Sequence, residues 1–154
     1  MFGGLRWGAL IPTSEALCLR GISVPSPSCS FCRSDLEGAD HILVSSSLAR
    51  TVWDWVQKWC VGDPIIHSKV GEILEYAKRW GRCSKRRSMF TVICYGVFWT
   101  LWKTRNVRVF QNRLASSSMI IDEILSLVFL WFKHRGKLGN CNWSLWCMSP
   151  FNCL

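Results

Sequence analysis

The sequence predicts a small, mainly α-helical domain with a zinc-knuckle-like Cys/Cys/His loop near its N-terminus. Three observations carry that prediction. Apolar residues recur at three- and four-residue steps in several separate segments, the period of one helix face. Cys29, Cys32 and His41 stand at metal-ligand spacing in "CSFCRSDLEGADHILVSSSLAR". Strand-like alternation is scarce, and Gly, Pro and Ser separate the periodic segments.

The elements follow in order. "IPTSEALCLRG" predicts a short helix, with Pro12 and Thr13 at its start and Gly21 at its end. "ISVPSPSC" is an extended linker into the cysteine pair. Ser46 or Ser47 caps the next helix, on which Leu48, Val52, Trp55, Val56 and Trp59 repeat, and Gly62, Asp63 and Pro64 stop it. "SKVGEILEYAKRWGRCSKRR" is a shorter helix with Val70, Ile73, Leu74 and Ala77 on one side. Glu75 is expected to pair with Arg79 one turn on.

A long helix is expected from about Ser88 to Gln111, apolar nearly all round in its first half. In its second half Trp99, Trp102, Asn106 and Phe110 share a face. Trp53, Trp55, Trp99 and Trp102 are assigned to the core, and Asn106 to a hydrogen bond with backbone or a neighbouring side chain. "ASSS" caps a further helix, Met119 to His134, with Ile120, Ile121, Ile124, Leu127, Val128 and Trp131 inward. The Gly/Asn/Ser-rich remainder is expected to lie extended against the helices.

This divides the chain into a Cys/Cys/His segment at 10–62, a basic helical segment at 68–135 and an extended tail at 136–154. Together they form one compact domain. A chain of 154 residues with 49% apolar content buries a real core. "MFGGLRWGALIP" does not read as a secretory signal. The strongly apolar uncharged run Ser88 to Trp102 is 15 residues, short of the roughly 20 that span a bilayer. Nine scattered cysteines make a poor disulfide framework and suit thiols packed as small hydrophobes in nucleus or cytoplasm.

The net charge of +9 favours an anionic partner, nucleic acid or an acidic membrane face, and of these RNA or DNA is expected and no membrane. "AKRWGRCSKRR" gathers Lys78, Arg79, Arg82, Lys85, Arg86 and Arg87 around Trp80. Cations neutralise phosphates, and an indole can stack on an exposed base. Lys133, Arg135 and Lys137 form a second cluster that would close the same side of the bundle.

Zinc takes four donors in a tetrahedron. Cys29 and Cys32 straddle a tight turn, and His41 returns to them. A fourth donor is due about five residues on, where Ser46 offers a hydroxyl, a poor ligand. Water, Cys18, Cys60 or Asp40 could fill that place, or the cluster could hold no metal. Catalysis is not expected, since no paired base and substrate pocket accompany the cluster.

The ordered set "IPTSEALCLRGI", "CSFCRSDLEGADHILVSS", "ARTVWDWV" and "FWTLWKTRNVRVFQN" resembles the reverse transcriptase zinc-binding domain. That domain lies downstream of the polymerase in plant non-LTR retrotransposons. The resemblance covers roughly Leu10 to Asn112 and includes Glu37, Asp40 and His41. It implies a metal held by Cys29, Cys32 and His41, and makes Ser46 the replaced fourth ligand. The family's upstream Trp and Lys-rich start is altered here, and the polymerase's catalytic Asp pair is absent. The resemblance therefore implies an accessory, non-enzymatic nucleic-acid-binding zinc module working beside a polymerase. The alternative is a structural or protein-interaction helical domain with no metal and no nucleic-acid role.

Overall fold

A computed structural model describes residues 11–154. The segment "MFGGLRWGAL", with the boundary at Leu10 and the expectations of no signal and an altered upstream start, lies outside the described residues. The described chain is mainly helical. It holds no strand among the described residues, only an isolated bridge between Ser28 and Leu36. No helix in it is long and apolar enough to cross a membrane.

Helix α1, Ser14–Leu19, starts where the Thr13 hydroxyl accepts the Ala16 N–H. The Cys/Cys/His loop follows and ends in a π-helical turn, His41–Ser45. Helix α2, Ser47–Cys60, begins on the Ser46 side-chain cap. It ends with Val61 in the left-handed region at φ 50°, one residue ahead of the expected Gly62 stop. Helix α3 is Val70–Arg79, with Val70, Ile73 and Ala77 buried. Glu75 pairs with Lys78 at 2.5 Å, not with the expected Arg79, because the exposed ammonium three residues on reaches the carboxylate.

Helix α4, Ser84–Gln111, is the central element. It starts four residues earlier than its apolar pattern suggests. Lys85, Arg86 and Arg87 therefore form its first turn rather than the end of the preceding helix, which stops at Arg79. Apolar residues all round its middle are buried, including Phe90, Ile93, Cys94, Val97, Phe98 and Leu101. Helix α5, Ser117–His134, packs on it where Gly96 allows close approach: a Cβ there would collide with a Val128 methyl. Trp53 is core, 3% exposed, but Trp55 and Trp102 are only partly buried and Trp99 is 51% exposed. Trp99 is therefore not a core residue.

The tail is not extended. Helix α6, Trp143–Met148, is capped by the Asn142 side chain, which accepts the Leu145 N–H at 2.9 Å. A 3-10 turn, Pro150–Cys153, completes it. Trp146 is fully buried; its indole N–H donates to the Leu125 carbonyl, and its own carbonyl accepts the Trp59 indole N–H. A disulfide joins Cys141 to Cys153, against the expectation that all nine thiols stay free. The other seven cysteines are unpaired. Composition hid this helix, which is six residues long and buries only Trp146.

Candidate functional site

The local fold brings the three predicted metal ligands together. The Cys29 N–H donates to the Asp35 carbonyl at 2.7 Å, and the Arg33 N–H to the Cys29 carbonyl at 2.9 Å. The Phe31 N–H donates to Cys29 Sγ at 3.4 Å. These bonds close a tight turn, with Arg33 in the left-handed region at φ 59°. The π-helical turn then places His41 over the turn, its Nε2 3.2 Å from Cys32 Sγ. One ligand atom each from Cys29, Cys32 and His41 lies within 4.8 Å of the others, and the group could hold a metal ion.

The donor set fits a zinc-type ion. Bonds of about 2.0–2.3 Å in a tetrahedron hold neighbouring donors roughly 3.3–3.8 Å apart; Cys32 Sγ and His41 Nε2 stand 3.2 Å apart, and no pair in the group exceeds 4.8 Å. His41 Nδ1 lies 3.2 Å from the Ser45 hydroxyl. A proton on Nδ1 shared with Ser45 leaves Nε2 free to ligate, the usual outer support of a metal histidine. Burial alone would raise the Cys32 thiol. Hydrogen bonds from the Ser34 hydroxyl and the Ser34 and Asp35 amides, with His41 alongside, instead bring it to about 6. A thiolate is thus ready at neutral pH. Burial pushes the Cys29 thiol up.

The proposed substitutes for the fourth ligand do not join the group. The Ser46 hydroxyl, fully buried, accepts the Ala49 N–H at 3.2 Å and donates to the Ile42 carbonyl at 3.4 Å. Asp40 Oδ1 accepts the Val70 N–H at 2.9 Å, which ties the loop to α3. Cys18 is exposed on α1. Cys60 is buried in the core, where desolvation pushes its thiol far above the usual range.

A link that the sequence does not announce anchors the loop. Glu37, 1% exposed, receives the Arg105 guanidinium from α4, with Arg105 Nε at 3.0 Å and Nη2 also on Oε1. It also accepts the Ser14 N–H and hydroxyl at 3.2 and 3.0 Å and the Ser30 N–H at 3.3 Å. Burial opposes the charge, but Arg105 and Ser14 hold the Glu37 carboxyl below its ordinary range. Asn106 accepts from Arg105 Nη1 at 3.1 Å, which supplies its expected partner.

The basic cluster separates into exposed and occupied members. Lys78, Arg79, Arg82, Lys85 and Arg86 are exposed. Arg87 is half-buried. Trp80 is not a free stacking platform: Phe90 and Phe151 stack on it with centroids 4.5 and 4.9 Å away. The second partner comes from the folded tail, which explains why local sequence could not reveal it. Lys85 and Lys137, one from each basic cluster, line a common cavity of about 860 Å³. Free aromatic surface lies elsewhere. Trp102 and Phe110 line a cleft of about 820 Å³ between α4 and the Cys loop, with Arg33 and Arg108 beside them.

No family model matches the chain, and neither a curated protein nor a solved structure shows significant similarity to it.

Proposed function

We propose that the chain is an accessory, non-catalytic nucleic-acid-binding module with a zinc-type metal in its Cys29–Cys32–His41 loop. It would act like the domain downstream of a retrotransposon reverse transcriptase, holding RNA or DNA near the polymerase. The carrying observation is the exposed set Arg82, Lys85 and Arg86 at the start of α4. None of them has an ion-pair partner among the described residues, and the first turn holds no acid. Three cations at a positive helix end repel each other and the dipole, a cost that a phosphate backbone reverses. Lys137 extends this surface. In the cleft, Phe110 is 78% exposed and offers the base-stacking surface that Trp80 lacks, while Trp102 beside it carries the Arg105 guanidinium over its ring. When bound, the metal stiffens the loop; this chain's residues, not the ion, contact phosphate.

The test is fluorescence anisotropy on single-stranded RNA and DNA across a salt series. Binding should weaken steeply with salt, and the combined Arg82→Ala, Lys85→Ala and Arg86→Ala variant should reduce the slope by about 2–3. Trp80→Phe should leave it unchanged. Binding that ignores salt would overturn the reading.

The other reading, a protein-interaction domain without metal or nucleic acid, draws on Val109, Phe110 and Leu114, which are 44%, 78% and 79% exposed. An apolar interface there would respond little to salt.

A further inference from the structure

We propose that Asp35 supplies the fourth donor of the Cys29–Cys32–His41 centre, giving a zinc-type ion two thiolates, one imidazole and one carboxylate. This rests on the metal-binding reading above. Asp35 Oδ2 lies 3.9 Å from Cys32 Sγ and 3.9 Å from His41 Nε2. Neighbouring donors of a tetrahedral ion stand about 3.3–3.8 Å apart, so the carboxylate is already near ligand distance from two of the three. A side-chain rotation would bring it toward the third, Cys29, and the Asp35 side chain is 66% exposed.

The backbone under Asp35 is fixed, since its carbonyl accepts the Cys29 N–H. The Ser34 hydroxyl stands between the two groups, 3.2 Å from Cys32 Sγ and 3.4 Å from Asp35 Oδ2. The competing donors are engaged elsewhere. Ser46 caps α2, Asp40 caps α3, Glu37 holds Arg105, and Cys60 is in the core. Charge also favours the carboxylate. Two thiolates and a neutral imidazole leave a divalent ion neutral. A carboxylate restores the single negative charge that a third thiolate would have given, whereas water does not. An oxygen donor on the exposed side also makes the ion more exchangeable than in a site closed by sulfur.

The experiment is a cobalt(II) titration of the reduced full chain, followed by zinc competition. The native chain should take up one cobalt with the visible bands of a four-coordinate site. Asp35→Asn should lower affinity at least about tenfold, the scale that even outer partners of a metal site reach. Asp35→Cys should restore tight binding and add thiolate-to-cobalt charge transfer, and Asp40→Asn should change nothing. Native affinity and an unchanged spectrum in Asp35→Asn would overturn the assignment while leaving the centre intact. Failure of the native chain to take up cobalt or zinc would overturn the metal reading, and this assignment with it. Circular dichroism of each variant separates these outcomes from a loss of folding.

Discussion

Around Trp146, Trp59, Phe129 and Phe132 bring their rings within 5.0–6.0 Å. Trp53 meets Phe98 edge-on at 5.4 Å, and the α4–α5 contact closes over Gly96. Between Pro27 and His41, ahead of the buried Ile42, Leu43 and Val44, the holding forces are different. That segment has a few turn hydrogen bonds, one buried ion pair and a cluster of side chains that could hold a metal ion. Apolar burial is non-directional and grows with area. Polar links are directional, and a buried charge is costly once its partner is lost. The bundle should therefore yield in proportion to the volume removed. The loop should yield abruptly when one specific group is lost.

The largest expected effect is in the bundle. Trp146→Ala removes a fully buried indole and its hydrogen bond to the Leu125 carbonyl. It should cost about 5 kcal/mol, the upper end for Trp→Ala in a core, read as a shift in denaturant midpoint. A loss below about 1 kcal/mol would mean that the tail is only loosely docked.

Next comes the ion pair. Arg105→Ala should cost about 3 kcal/mol by stranding Glu37 in the interior. Replacing both partners with apolar residues should cost less than Arg105→Ala alone. The pH dependence has a definite sign. Glu37 is held below its ordinary range, so its contribution is full above about pH 4.3 and disappears as pH falls through the lower folded value. An acid titration of stability should show this step in the native chain and lose it in Arg105→Ala.

Smaller still is the helix cap. Ser46→Ala should cost about 1 kcal/mol, because α2 loses the acceptor for the Ala49 N–H. Metal uptake should not change, since the hydroxyl serves the helix. A drop in metal affinity without a drop in stability would reverse that assignment.

What the sequence makes legible follows the same division. Val52, Val56 and Trp59 on α2, and Ile120, Ile124 and Val128 on α5, repeat at helical steps, because each helix must bury one continuous face. Cys29, Cys32 and His41 are legible because ligand chemistry restricts both residue type and spacing. The start of α4 is not, since Ser84 to Arg87 carry no apolar period and are helical by continuity with Met89 and Phe90. Trp80 reads as a base-stacking residue until Phe151 arrives from the far end of the chain. Glu37 and Arg105 are 68 residues apart, and nothing local pairs them. Asp40 is adjacent to His41 in sequence, yet the helical turn directs its carboxylate to α3. Asp35, six residues from His41, comes round to Cys32 and His41 through the turn.

The proposed contrast between a bundle that needs no metal and a loop that holds one is tested most directly by hydrogen exchange, with zinc added and after chelation. The account predicts that chelation speeds exchange at the amides of Cys29, Phe31, Arg33 and Glu37, while α2, α4 and α5 keep their protection. Unchanged exchange in the loop, or loss of protection throughout the bundle, would contradict it.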